Sequence, residues 1–251
     1  MKFIGITFTG VDEWTEISDL ARLQAKYPYT EFGVLLSKNH QTNGNRYPDP
    51  RIFNRMFAYY NIKWSAHLCG SMARSAFGGN WVPFEEYFKT ITREPQSYWD
   101  MLNRIQLNVS KGLEGWTQPY RPESCPVNGV DIIIQQNSVV ESYLFNMNKN
   151  NTQLLIDPSG GEGKSPDWKM NHLYTENPHA IVGYAGGINK DNVIDVLNFL
   201  ETNSNCYYWI DLETGARDKN DRFDVYKISK ILKSVDKWRN RMISKEMNHG
   251  R

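Results

Sequence analysis

Asp157 closes the apolar run Gln153–Ile156 and is followed at once by Pro158 and the loop Ser159-Gly160-Gly161-Glu162-Gly163-Lys164. A carboxyl group placed there can act as a general acid or base if partial burial lifts its pKa. The plain alternative is an aspartate that braces the loop or caps a helix. Other chemistry-bearing residues stand at the ends of similar runs. His67 and Cys69 share one face of a third run, Gln106 and Asn108 one face of a fourth, Gln135 and Asn137 close a fifth, and Asp211 with Glu213 ends the last. His67 is a candidate proton carrier and Cys69 a candidate nucleophile or base; each also fits a plain packing role in a core. Arg46, in Asn45-Arg46-Tyr47-Pro48, is the best-placed cation, able to pair bidentately with a ligand carboxylate or phosphate. Its default reading is a surface residue.

Some chemistries are argued against by spacing. No HxH or HExxH pattern accompanies the histidines, so no metal site is expected. The Gly160–Lys164 loop does not meet the GxxxxGK[ST] spacing of a nucleotide triphosphatase. No cofactor is expected.

The elements that must carry these residues alternate in type. Short apolar runs fall at Lys2–Phe8, Phe32–Ser37, Ile62–Cys69, Arg104–Val109, Val130–Gln136, Gln153–Asp157, Ala180–Ala185 and Tyr207–Leu212. Helical patterns lie between them, at Ile17–Lys26, Pro50–Tyr60, Val139–Met147, Asn192–Glu201 and Val225–Arg241. Strand alternating with helix predicts an α/β fold with a parallel sheet, and eight such strands in 251 residues suit a (β/α)8 TIM barrel. The expectation is a single domain over residues 1–251, enlarged between about residues 70 and 130 by loops or extra helices rich in aromatics. In such a barrel the carboxyl ends of the strands form the floor of the site. Buried parallel strands normally read as apolar, so the ring of amides, acids and a histidine predicts a polar pocket, with hydrogen-bonded loop caps as the alternative. Glycine turns follow the last three strands, at Gly160-Gly161-Glu162-Gly163, Gly186-Gly187 and Thr214-Gly215, and backbone exposed by such turns suits a phosphate.

Composition bounds the partners. Net charge is +1, which offers no global basic field for nucleic acid. The basic residues Lys227, Lys230, Lys233, Lys237, Arg239 and Arg241 fit the solvated face of a terminal helix. Three widely spaced cysteines, Cys69, Cys125 and Cys206, argue against a disulfide framework and for a reducing compartment. No run of about 18 apolar residues suggests a membrane span, and a cytoplasmic protein is expected.

Taken in order, these motifs resemble the phosphoribosylanthranilate isomerase family, (β/α)8 barrels that rearrange a phosphorylated aminosugar. The family's KICGIT strand is similar to Lys2-Phe3-Ile4-Gly5-Ile6-Thr7, its Arg-Tyr pair to Arg46-Tyr47, and its QLHG strand to Gln106-Leu107-Asn108. The LLDxxxGGxGxxxDW segment is similar to Leu155-Ile156-Asp157 with Gly160, Gly161, Gly163, Asp167 and Trp168. AGGLNPxNV matches Ala185–Val193, and VDVSSGVE matches Ile210–Arg217. The resemblance implies Asp157 as general acid, Arg46 as a carboxylate anchor and Asp211 as a contact to a ligand hydroxyl or amine. It also implies that Gly186-Gly187 and Thr214-Gly215 cradle a phosphate, so the expected partner is a phosphorylated, ribose-containing small molecule. The family's base is the cysteine of KICGIT, and Ile4 stands at that position. Either His67 or Cys69 then supplies the base, or the protein binds its ligand without converting it.

Overall fold

The computed structural model describes residues 1–38, 46–57, 59, 61–91, 99–109, 125–127, 129–136, 152–157 and 181–249. Eight parallel strands close into a barrel in sequence order: β1 Phe3–Thr9, β2 Thr30–Leu36, β3 Trp64–Cys69, β4 Leu102–Asn108, β5 Asp131–Gln135, β6 Thr152–Ile156, β7 Ile181–Tyr184 and β8 Tyr207–Leu212. The (β/α)8 expectation therefore holds, with strand bounds shifted by two residues or fewer. Among the described residues the helices are α1 Ile17–Lys26, α2 Ile52–Phe57, α3 Gly70–Phe77, α4 Val82–Lys89, α5 Val193–Asn203 and α6 Val225–His249. The helical pattern at Val139–Met147 lies outside the described residues.

Alternation along the strands sorts side chains into two shells. Outward residues such as Phe8, Phe32, Val34, Leu36, Trp64 and Tyr208 pack in one large apolar cluster with the helices. The helices match this surface. In α6, Ile228, Ile231, Leu232, Val235 and Trp238 recur at helical spacing and are all buried, while Trp238 Nε1 donates to Asn198 Oδ1 of α5 at 2.8 Å. The helix starts where the Asp224 carboxylate accepts the backbone N–H of Lys227 at 2.9 Å, an N-cap that satisfies an otherwise orphaned donor. The aromatics expected in enlarged loops largely take the packing role: Phe77, Trp81, Phe84, Tyr87, Phe88 and Trp99 are all buried around α3 and α4. Tyr98, Trp116 and Tyr120 lie outside the described residues.

The inward shell is unusual for such a barrel, where branched aliphatics normally fill the layers. Its only apolar cluster among the described residues is small: Ile133, Leu155, Ala185 and Trp209, with Ile181 against them. Below the mouth the rest is polar and joined across non-neighbouring strands, as only a barrel interior permits. Arg104 Nε donates to both Glu31 oxygens at 3.0 and 2.9 Å, and its NH2 donates to Thr7 Oγ1 at 2.7 Å. Its guanidinium also lies 4.0 Å from the centroid of the Trp209 ring. Gln153 completes the set, accepting from Trp209 Nε1 at 3.1 Å and donating to Asp131 Oδ2 at 2.8 Å. Gly183 makes room for this indole: a Cβ there would stand 2.3 Å from Trp209 Cζ2.

Removing one member of a buried ion pair leaves the other charge uncompensated and typically costs about 3–5 kcal/mol. Arg104→Met alone should therefore lower the urea-unfolding free energy by roughly 3 kcal/mol or more, whereas Glu31→Met with Arg104→Met should cost clearly less than the sum of the singles. Strictly additive losses would show that the pair is not coupled.

Candidate functional site

A cavity of about 550 Å³ opens at the carboxyl ends of the strands. Its lining joins Cys69 of β3, Gln106 and Asn108 of β4, Gln135 of β5, Asp157 after β6, Ala185 to Asp191 after β7, and Asp211 to Gly215 at the end of β8. Arg46, Tyr47, Leu35, Leu155 and Lys227 complete it. Residues from every quarter of the chain thus meet because eight strands end at one rim. Among the sequence-derived candidates, Asp157, Cys69, Arg46, Gln106, Asn108, Asp211, Gly186, Gly187, Thr214 and Gly215 line this one cavity. His67 is not among the lining residues. Gly160, Gly161 and Gly163, with Asn137, lie outside the described residues.

The two aspartates differ in surroundings. Asp157 accepts a hydrogen bond on Oδ2 from Gln135 Nε2 at 2.9 Å. Asp211 is buried inside β8 and accepts the Thr9 hydroxyl on Oδ1 at 2.7 Å. Burial pushes the Asp211 carboxyl up to about 7, with Glu213 and Glu31 pushing the same way, while the Thr9 hydrogen bond and Arg104 oppose the rise. His67 is one side-chain layer deeper than Cys69 on β3 and is fully buried. Its Nδ1 is 3.9 Å from Asp211 Oδ2, and its Nε2 is 3.0 Å from Ser65 Oγ. Burial first, and Arg104 second, push the imidazole down to about 3, so the ring is neutral at physiological pH and forms no ion pair with Asp211. Burial pushes the Cys69 thiol up to about 11, so it stays protonated; Asn108 Nδ2 approaches its sulfur at 3.4 Å.

Arg46 is occupied. Its Nε donates to Asp221 Oδ2 at 2.9 Å, its NH2 to Asp221 Oδ1 at 3.0 Å, and its NH1 to Glu213 Oε1 at 2.6 Å. Glu213 therefore meets Arg46 directly, and its carboxyl still lies above the usual range because burial outweighs that pairing. Asp221, held at a left-handed φ of 56°, also accepts from Arg217 Nε at 3.0 Å. Arg217 is buried and paired at 3.3 Å with the fully buried Asp12, which in turn accepts the backbone N–H of Phe223 at 2.7 Å. One ionic chain thus ties the segment after β1 to the loops after β2 and β8.

The opposite edge is backbone, two lysines and one aspartate. Gly186 and Gly187 adopt left-handed φ values of 101° and 58°, conformations that glycine takes without strain. Asn189 Nδ2 and Asn192 Nδ2 each donate to the Gly187 carbonyl at 3.0 Å, fixing the turn. Gly215 packs on it so closely that a Cβ would stand 2.0 Å from the Ile188 carbonyl oxygen. Lys190, Asp191 and Lys227 line the same edge, where Lys190 Nζ donates to Asp191 Oδ1 at 2.5 Å. Lys227, whose Nζ donates to the Arg217 carbonyl at 2.7 Å, was expected on the solvated helix face; the first turn of α6 instead turns it toward the cavity. The helix-start signal at Asp224, which places residue 227 in the first turn beside the rim, was the clue available.

Ile4 does not stand at the cavity. It is the second residue of β1, 43% exposed, whereas the β1 residue bonded to Asp211 is Thr9, at the strand's other end. The expectation that residue 4 bears on the chemistry is corrected by this placement. Among the described residues no helix is long and apolar enough to cross a membrane, and no group of three or more His, Cys, Asp or Glu could hold a metal ion.

The family model described as N-(5'phosphoribosyl)anthranilate (PRA) isomerase matches residues 96–234, more than half of the chain. A search of curated proteins gave no match. Among solved structures, phosphoribosyl anthranilate isomerase from Thermus thermophilus superposes with a TM-score of 0.57 at 16% identity, covering 93% of this chain and 98% of that one. A phosphoribosyl anthranilate isomerase in complex with reduced 1-(o-carboxyphenylamino)-1-deoxyribulose 5-phosphate gives 0.55 at 15% identity, covering 92% and 97%. A truncated 3-deoxy-D-arabino-heptulosonate 7-phosphate synthase from Thermotoga maritima gives 0.51 at 9% identity, covering 96% and 88%, so the barrel likeness extends beyond one activity.

The raised Asp211 carboxyl has a consequence for stability. Unfolded, an aspartate titrates near 3.8, whereas in the fold this one titrates near 7, so between these values only the folded chain holds the proton. Stability associated with that proton is complete below the lower value and is lost as pH rises to about 7. Asp211→Asn, which carries no charge to bury, should melt higher than the parent at pH 8 by at least about 2–4 °C, equivalent to ~1 kcal/mol in a chain of this size. The gap should close toward pH 4. A pH-independent gap in thermal melts would refute the assignment.

Proposed function

The chain belongs to the N-(5'-phosphoribosyl)anthranilate isomerase family, and on that premise we propose that its cavity binds a phosphorylated, ribose-containing small molecule and isomerises it by acid–base chemistry. The observation that carries this reading is the division of one cavity into two unlike halves. Gly186, Gly187 and Gly215 with Lys190 and Lys227 form an edge suited to a phosphate, where backbone lies close and cations are near. Asp157 and Asp211 face the same space from β6 and β8.

Moving a hydrogen between neighbouring carbons of a sugar needs one group to give a proton to oxygen and another to take one from carbon. Asp157 is the acid. Asp211 is the base, because its carboxyl titrates near the working pH, where a base is most effective. Cys69 is too weakly acidic to act as a thiolate, and His67 does not line the cavity. The proton Asp211 takes from one carbon returns to its neighbour, and the proton Asp157 gives to oxygen is recovered when the carbonyl re-forms, so the cycle balances without a cofactor. The relative solved with reduced 1-(o-carboxyphenylamino)-1-deoxyribulose 5-phosphate supports a ligand of pentose phosphate type. A protein of the cytoplasm is the compartment this ligand and three free cysteines suggest.

The test is hydrogen exchange. In D2O, the wild type should exchange the C1 hydrogens of 1-amino-1-deoxyribulose 5-phosphate faster than buffer does, as read by proton NMR. Asp157→Asn should slow that exchange by about a hundredfold or more while keeping affinity for the compound, the usual scale for loss of a general acid. Stoichiometric binding by the wild type with no exchange would instead identify a sequestering protein.

A further inference from the structure

Among the described residues, the half of the cavity away from Gly186 and Gly187 carries several carboxylates. Asp157, Asp211 and Glu213 bring three carboxylates to its lining, and Arg46 beside them already donates to Asp221 from Nε and NH2 and to Glu213 from NH1. A ligand carboxylate arriving here would meet three carboxylates and a guanidinium whose charge is already shared by Asp221 and Glu213.

Two amide side chains point the same way by an independent route. Gln106 and Gln135 line the cavity, are 2% and 4% exposed, and have Oε1 atoms with no hydrogen-bond donor among the described residues. Gln135 Nε2 donates to Asp157 Oδ2 at 2.9 Å, and Gln106 Nε2 donates to Asn108 Oδ1 at 2.9 Å, while Asn108 Nδ2 donates to Cys69 Sγ at 3.4 Å. The oxygens are thereby left over. A buried acceptor without a donor is unfavourable, and a ligand N–H relieves it.

Resting on the phosphate-edge reading above, we infer that the ligand is a phosphorylated pentose whose other end carries a protonated amine and not a carboxylate. Its ammonium N–H groups satisfy the Gln106 and Gln135 oxygens and lie against Asp211 and Glu213, while Arg46 acts as a structural clasp and not as an anchor for the ligand. Arg46 and Glu213 thus set specificity by repulsion of carboxylates as much as by attraction of amines.

Calorimetric titration with three non-reacting probes on one scaffold tests this. Ribitol 5-phosphate reports the phosphate edge, 1-amino-1-deoxyribitol 5-phosphate adds the amine, and reduced 1-(o-carboxyphenylamino)-1-deoxyribulose 5-phosphate adds an aryl carboxylate. At pH 8 the amino compound should bind at least about tenfold more tightly than ribitol 5-phosphate, the scale of one charge-assisted hydrogen bond. The carboxyphenyl compound should bind no more tightly than ribitol 5-phosphate. Glu213→Gln, which removes one carboxylate charge from beside Arg46, should shrink the amine preference severalfold and raise affinity for the carboxyphenyl compound. Ribitol 5-phosphate binding with no amine preference, or with the carboxyphenyl compound tightest, overturns the inference and leaves the phosphate edge standing. Failure of all three to bind overturns both.

Discussion

A guanidinium inside the barrel conditions everything above it. Arg104 sits where neighbouring strands would ordinarily meet through aliphatic side chains, and it is tolerable there only because Glu31, Thr7 and the face of Trp209 surround it. The same charge reaches upward: it helps keep His67 neutral and tempers the rise of Asp211. Without a cation at this depth, three acids near one rim would face a purely desolvating floor. The inner apolar cluster is correspondingly small, and the stability of the fold rests on the outer shell of strand and helix side chains.

At the rim, a second ionic chain does for the loops what Arg104 does for the floor. Asp12, Arg217, Asp221, Arg46 and Glu213 connect segments that follow β1, β2 and β8. Because Arg217 and Asp12 are buried, breaking this chain at its inner end strands a charge, whereas Arg46 and Asp221 remain partly exposed and are worth less individually. The segments after β1, β2 and β8 are thereby tied to one another. The opposite side of the rim is fixed by glycine backbone and by the amides of Asn189 and Asn192. A cavity held open from both sides suits a ligand with two chemically different ends.

The barrel was legible because short apolar runs recur between helical patterns, some with clear period-two alternation: in β2, Phe32, Val34 and Leu36 face the helices while Gly33 and Leu35 alternate inward. Asp157, Asp211 and the later glycine turns were legible for a different reason, since a polar residue at the carboxyl end of an apolar run is costly to bury unless it caps a loop or meets a ligand. The interior ion pair was not. Glu31 precedes the run read as β2, and Arg104 at the start of β4 looks like a strand edge; only barrel closure brings them together across β3. Arg46 was legible as a cation but not as a paired one, because its partners Glu213 and Asp221 come from more than 160 positions away. Ile4 was misplaced by a local match: the hexapeptide at Lys2–Thr7 covers the start of a strand that runs on to Thr9, so similarity of letters carried no information about depth in the barrel.

The most direct measurement is a crystal structure of the protein with 1-amino-1-deoxyribitol 5-phosphate. The phosphate should lie between Gly187 and Gly215 within reach of Lys190 and Lys227, and the amine should lie within hydrogen-bond distance of Asp211 and the Gln106 oxygen, with Arg46 still on Asp221. A phosphate bound by Arg46 instead, with the amine in solvent, would contradict the division of the cavity into an anion edge and an acceptor floor.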